Sequence, residues 1–189
     1  MEKVTILGSA NAVAKMDQQN THLLIETDRR KIMVDCGDHP AASLGRAGVT
    51  VNQINMLILT HFHADHVGSL PLLLMDMWLE KRTEPLSIYG LEITLDKAKA
   101  LLEVFSWETW PNMFPVNFIP IPEAGKDLVI DEEDLKISAM PVLHLIPTIG
   151  LRFEFANGKV VTYSCDSEPC ENLATLANHA DVLLQEAAG

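Results

Sequence analysis

The chain has 189 residues, a formal net charge of −12 and 48% apolar residues. The length favours one domain over residues 1–189, with ample apolar content for a core. The charge disfavours a nucleic-acid backbone as partner unless a local basic patch offsets it, and no apolar run reaches the length needed to span a bilayer.

The basic clusters are small. "DRRK" (Arg29, Arg30, Lys31) reads as a hairpin turn, and "EKR" (Lys81, Arg82) as a helix C-terminus, where cations offset the helix dipole. Small anionic or neutral substrates therefore suit the chain better than long nucleic acid. The opening "MEKVTILGSAN" reads as a first strand rather than a leader, so the expected location is the cytoplasm. Cys36, Cys165 and Cys170 are odd in number and form no CxxC pair. Reduced thiols are expected, and a thiolate zinc knuckle is not.

In chain order, "KVTILG", "THLLIET" and "RKIMVDCG" are strands, the last two joined by a tight hairpin at Asp28-Arg29. "INMLILT" is continuously apolar, as a strand covered on both faces should be. "SLPLLLMDMWLEK" is a helix, with Ser69 as its cap and Pro71 in its first turn. "LSIYG" is a strand. "TLDKAKALLEVFSW" is an amphipathic helix starting near Thr94 or Asp96. "PNMFPVNFIPIPEAG" is too rich in proline for regular structure. "LVI", "LKISAMPVLH", "IGLRFEF" and "KVVTYSCD" are strands, with a hairpin at Asn157-Gly158. "CENLATLANHA" is a short helix and "DVLLQEA" a final strand. The sum is a layered α and β arrangement.

The chemistry concentrates in "LILTHFHADHVGSLPLLL", residues 57–74. Residues two apart share a side only in extended chain, so His61, His63 and Asp65 converge if the segment is extended or a tight loop. His66 then enters the same space from the turn. Imidazoles and carboxylate without thiolate suit zinc, manganese or iron. Four ligands from so short a segment suit two neighbouring ions better than one. His144 and Asp166 each close a strand; on its own, each reads more simply as a cap or turn residue.

"THFHADHVGSLPLL" resembles the signature of the metallo-β-lactamase fold superfamily. "GSANAVAKMDQQNTHLLIE", "VDCG", "EPLSIYG", "PVLHLIPTIGLRFEF", "VVTYSCDSEP" and "ADVLLQEA" resemble, in order, segments of its ribonuclease Z-like branch, which also holds cyclic-nucleotide and other small phosphodiesterases. The resemblance implies an α/β fold, the αβ/βα four-layer sandwich, lacking its C-terminal strands and helices. It implies that His61, His63 and His144 bind one zinc ion, that Asp65 and His66 bind a second, and that Asp166 bridges them, with manganese or iron as alternative metals. Asp65 would also be the general base orienting a metal-bound hydroxide, and Asp35 would fix a ligand histidine through its other ring nitrogen.

Three departures bear on substrate. The family's further ligand histidine, beyond the strand matching "DVLLQEA", is not reached before Gly189. A chain cut short, a completing partner and a weakly held second metal all stay open. Ribonuclease Z has His-Glu-Ala where this chain has Gln185-Glu186-Ala187, and it carries an RNA-gripping arm that segment 145–165 is too short to hold. The expectation is a metal-dependent hydrolase of a small phosphodiester, with transfer RNA not its substrate, no membrane partner, and homo-oligomerisation left open. A lactone, thioester or sulfate-ester hydrolase, and a catalytically silent metal-binding or interaction module, are the alternatives.

Lesser residues have simpler readings. Trp107, Trp110 and Phe114 pack rather than form a lid. Cys165 faces away from Asp166 as a buried thiol, and Cys36 is similar. His22 and His39 lie on the surface, and His179 caps a helix C-terminus.

Overall fold

The computed structural model describes residues 2–123 and 127–186. The chain divides into two compact units, residues 1–119 and 120–189. Mixed α and β structure on two sheets is the fold class the sequence implied.

The first sheet has six strands in the order β1-β2-β3-β4-β5-β6. They are β1 (Lys3–Gly8), β2 (His22–Glu26), β3 (Lys31–Val34), β4 (Met56–Leu59), β5 (Leu86–Leu91) and β6 (Val116–Ile121). β1, β2 and β3 are antiparallel neighbours, and β3, β4 and β5 run parallel. Every residue of β4 is buried, which explains its unbroken apolar run. Leu57 and Leu59, two apart and hence on one face, join Leu24 and Met33 in a core. That core is closed by Leu70, Leu73, Leu74 and Met77 of α3 (Leu70–Leu79) and by Leu95, Ala98 and Leu102 of α4 (Glu92–Glu103). The β2–β3 hairpin forms at the expected turn. The amide of Thr27 donates to Arg30 O at 2.9 Å, and the amides of Arg29 and Arg30 reach Thr27 Oγ1 at 3.2 Å.

Several expectations change here. β6 runs through the segment expected to be irregular; as an edge strand it tolerates Pro120, because only one side of its backbone enters the ladder. The end of that segment lies outside the described residues. A helix not foreseen, α1 (Pro40–Arg46), opens on a proline in its first turn. α4 starts at Glu92 rather than at Thr94 or Asp96, and Thr94 is buried. Ser69 does occupy the N-cap of α3, but its hydroxyl donates to Gly37 O at 3.1 Å instead of capping the helix. Trp107 and Phe114 pack into the core, and the rings of Trp78 and Trp110 lie 5.3 Å apart, so the aromatic stretch packs as expected.

Arg82 is the larger correction. It is 5% exposed, not a solvated cation at a helix end. It donates to Glu84 O at 2.7 Å, Pro85 O at 2.8 Å and Asn52 O at 3.2 Å, and its guanidinium lies 5.3 Å from the Phe114 ring centre. Burial lowers its pKa. Arg82→Met keeps the stem but leaves three carbonyls without this donor, so urea unfolding should show a loss of about 2 kcal/mol. An unchanged midpoint would mean that water replaces the guanidinium at no cost.

The second sheet has the order β11-β10-β9-β8-β7. Its strands are β7 (Asp127–Asp131), β8 (Leu135–Val142), β9 (Thr148–Phe155), β10 (Val160–Tyr163) and β11 (Val182–Leu184). β7 to β10 are antiparallel neighbours, and β11 runs parallel to β10. The hairpin at Asn157-Gly158 is present. Gly158 adopts φ 81°, which glycine takes without a Cβ penalty, and the amide of Phe155 donates to Lys159 O at 2.9 Å. β8 and β10 stop at Val142 and Tyr163, so His144 and Asp166 stand just past strand ends rather than on them. β11 is shorter than expected, and Ala187 lies outside the described residues.

The helix α5 (Glu171–Ala177) packs on β8 and β9. Arg152 of β9 caps it, donating from Nη1 to Leu176 O at 2.7 Å and Asn178 O at 2.8 Å. His179 follows the C-cap Asn178 at φ 55°, and its left-handed backbone ends the helix in a turn in which the Ala180 amide donates to Ala177 O at 3.0 Å. No helix of the described residues is long and apolar enough to cross a membrane.

Candidate metal centre

In the first unit the histidine segment leaves the C-terminal end of β4. Residues 60–63 have no regular secondary structure, and His63 is extended. A one-turn helix, α2 (Ala64–Val67), then begins earlier than the sequence suggested, with His63 at its N-cap. The carbonyl of His63 accepts the amides of His66 at 3.0 Å and Val67 at 3.1 Å. This switch from extended to helical chain folds Asp65 and His66 back toward His61 and His63. His61 Nε2 lies 3.0 Å from His63 Nδ1. The His61 ring centre is 4.1 Å from that of His66, and His66 Nε2 is 3.7 Å from Asp65 Oδ2. The four side chains expected to converge from this segment do so.

One carboxylate organises them. Asp35 follows β3, is fully buried and holds φ 63°, a left-handed conformation uncommon outside glycine and more accessible to aspartate than to most residues. Its amide donates to Ile58 O at 2.9 Å, tying it to β4. Its carboxylate accepts the Thr60 amide at 2.8 Å, the Thr60 hydroxyl at 2.8 and 2.9 Å, and His66 Nδ1 at 2.8 Å.

A carboxylate only accepts, so His66 donates from Nδ1, and the neutral imidazole then presents its lone pair at Nε2. The Thr60 hydroxyl has one proton, given to Asp35, so it accepts from His61 Nδ1 at 3.1 Å. His61 therefore also presents its lone pair at Nε2. Asp35 thus fixes one histidine directly, as the sequence suggested, and a second through Thr60. The sequence reading missed Thr60; its signal was a hydroxyl closing an apolar strand directly before the first histidine.

The surrounding backbone locks this arrangement. The amide of Cys36 donates to His66 O at 2.6 Å and that of Ser69 to Cys36 O at 3.0 Å. The start of α3 has few amides to offer an anion: Pro71 has no N–H, and the Ser69 amide is already donated to Cys36 O. Cys36 is buried, which raises its thiol pKa, so it stays protonated and inert. The three cysteines form no disulfide.

In the second unit His144 and Asp166 meet. Leu143 and Glu168 form an isolated bridge, with the Glu168 amide 2.8 Å from Leu143 O. Cys165, fully buried at φ 55°, turns the chain between β10 and Asp166. His144 Nε2 then lies 3.9 Å from Asp166 Oδ2, both side chains partly exposed. The Ser167 amide donates to Glu186 Oε2 at 3.2 Å, and the Glu186 amide to Ser164 Oγ at 3.0 Å, which anchors the Asp166 loop.

His39 is exposed as expected, but His22 is not. It is 1% exposed, with Nδ1 2.7 Å from Asn20 O. Burial lowers its pKa, so it is a neutral core imidazole.

The donor set fits a divalent metal. Around a tetrahedral zinc with Zn–N of about 2.0–2.1 Å, neighbouring ligand atoms stand about 3.3 Å apart. The 3.0 Å between His61 Nε2 and His63 Nδ1 is close to that spacing. The lone pairs that Asp35 imposes on His61 and His66 are those a metal requires.

The family model described as Anti-Pycsar protein Apyc1 matches residues 2–188. Among curated proteins, ribonuclease Z of Mycobacterium sp. (strain KMS) is 29% identical over 197 residues, covering 99% of this chain and 69% of that protein. Among solved structures, the short form of human tRNase Z has a TM-score of 0.78 at 22% identity, covering 97% of this chain and 76% of that one. The metallo-β-lactamase fold protein YhfI from Bacillus subtilis has a TM-score of 0.76 at 20% identity, covering 96% and 69%. The expectation that transfer RNA is not a substrate finds no support here, since two of these three are named ribonuclease Z or tRNase Z. The fold is that of metal-dependent hydrolases. The chain belongs to the Anti-Pycsar protein Apyc1 family, in the ribonuclease Z-like branch of the metallo-β-lactamase fold.

Proposed function

We propose that the chain is a phosphodiesterase for small diesters, working with two divalent ions, zinc in the first instance and manganese or iron as alternatives. His61, His63 and His144 would hold the first ion, Asp65 and His66 the second, and Asp166 both. The observation that carries the reading is the Asp35 network, which turns two buried imidazoles into lone-pair donors beside a third imidazole and a carboxylate. The His144–Asp166 pair supports it from the second unit.

Such ions supply Lewis acidity to the phosphoryl oxygens and acidify water. The protein's own contribution is positional. Asp65 is partly exposed and beside His66, so it can accept a proton from attacking water and hold that water in line. Asp35 and Thr60 prevent the imidazoles from rotating or changing tautomer during turnover. A diester is small and singly charged, which suits a chain of net charge −12.

The test has two arms. Elemental analysis of the purified chain should give about two metal ions per chain, as a two-metal site requires. Bis(p-nitrophenyl) phosphate should be hydrolysed with added zinc or manganese, and His63→Ala should hydrolyse it more slowly. Equal rates for the two proteins would sink the reading, and absence of bound metal would favour a silent module.

A further inference from the structure

We propose that Glu186 is a positioning residue: its carboxylate holds the loop that presents Asp166 and so sets how well that aspartate binds metal, an inference that rests on the two-ion reading of the site. Asp166 lies past the end of β10, in chain without regular secondary structure. A ligand carried on a loop is placed only as well as the groups that support it. Cys165, directly before it, holds φ 55°, a conformation that persists in a residue other than glycine only where the surroundings impose it.

The constraint comes from the residues that end β11 and follow it. Before Asp166, the amide of the buried Ser164 donates to Leu184 O at 2.9 Å, and the Glu186 amide donates to Ser164 Oγ at 3.0 Å. After Asp166, the amide of Ser167, also buried, donates to Glu186 Oε2 at 3.2 Å. Glu186 thus grips both flanks of Asp166, one with its amide and one with its carboxylate. Its carboxylate has no competing use: among the described residues no cation pairs with it, and the Ser167 amide is its hydrogen-bond partner. One residue further on, the Glu168 amide donates to Leu143 O, next to His144. The clamped loop therefore also sets the 3.9 Å approach of His144 Nε2 to Asp166 Oδ2. Glu186 acts through Asp166 and touches neither substrate nor metal in this role. With Asp166 displaced, the first ion would keep His61, His63 and His144, whereas the second would keep only Asp65 and His66, so the second ion should suffer most.

The test uses the full chain, the variants Glu186→Ala and Glu186→Gln, and two readouts. Titration with manganese, followed by the electron spin resonance of the free ion, measures each binding step. In Glu186→Ala the weaker step should fall by about 10–100-fold, the size of a lost supporting group, with the tighter step within about threefold of the wild type. Glu186→Gln keeps an acceptor oxygen at the same reach and should hold both steps within about threefold. Amide hydrogen exchange in the metal-free chain reads the clamp without any ion: the Ser167 amide should exchange about tenfold faster in Glu186→Ala. Unchanged Ser167 exchange, metal steps that stay put or fall together, or a Glu186→Gln protein that behaves as Glu186→Ala would overturn the inference. Faster Ser167 exchange in the variant of a chain whose wild type takes up no second ion would keep Glu186 as the anchor of Asp166 and reject the two-ion reading.

Discussion

Asp35→Asn is expected to lower divalent-metal affinity by about 10–100-fold, the usual consequence of removing the group that orients a ligand histidine. It should also cost about 1.5–3 kcal/mol of folding stability, as hydrogen bonds to a buried charge are lost. The substitution preserves shape but changes the pattern of donors and acceptors. The carboxylate accepts from the Thr60 amide, the Thr60 hydroxyl and His66 Nδ1, at 2.8–2.9 Å. An asparagine has one acceptor oxygen and a donating NH2 group. If its oxygen stays on the Thr60 amide, the NH2 faces His66. The imidazole must then move its proton to Nε2, and the lone pair facing Asp65 is lost. If the amide flips, the Thr60 amide meets a donor instead, and the strand end carrying His61 is disturbed. Competition with a chelating dye measures the affinity and urea unfolding the stability. Wild-type values in both would refute the tautomer argument.

The sequence made the histidine cluster legible because His61, His63, Asp65 and His66 sit within one short segment. Period-two spacing after an apolar strand places His61 and His63 together whatever the rest of the chain does. The same locality made the hairpins at Asp28-Arg29 and Asn157-Gly158 readable. What escaped were features decided by distant contacts. His22 and Arg82 look like surface residues in isolation, yet both are buried, His22 near Asp35, Asp38 and Arg46 and Arg82 against Asn52, all well removed in sequence. Thr60 matters only because Asp35 arrives from another strand. β6 was hidden because prolines argue against a strand, and only its edge position removes the objection. His144 and Asp166 could be placed near strand ends, but their approach depends on the Leu143–Glu168 bridge, which no local pattern announces.

Gly37→Ala is expected to be the most damaging single-methyl change near the centre, about 4 kcal/mol or more, at the exceptional end for point substitutions. An added Cβ would stand 1.4 Å from Asp65 O and 2.3 Å from its carbonyl carbon. Both obstacles are backbone, so no rotamer change relieves the clash. Either the turn after Asp35 or the one-turn helix bearing Asp65 and His66 must move. Each movement breaks the Cys36–His66 amide bond at 2.6 Å and pulls Asp35 off His66. A glycine is thus required here for close approach of two chain segments, not for a special φ. Gly45→Ala is the matched control: it lies in α1 with nothing within 4 Å of the added carbon, and a helical alanine should stabilise by about 0.5–1 kcal/mol. Thermal unfolding of the two variants, followed by metal analysis of whatever Gly37→Ala protein folds, tests both halves of the argument. If Gly37→Ala melts with the wild type and binds metal equally, the close packing of the Asp35 turn against Asp65 is not what holds the ligands in place.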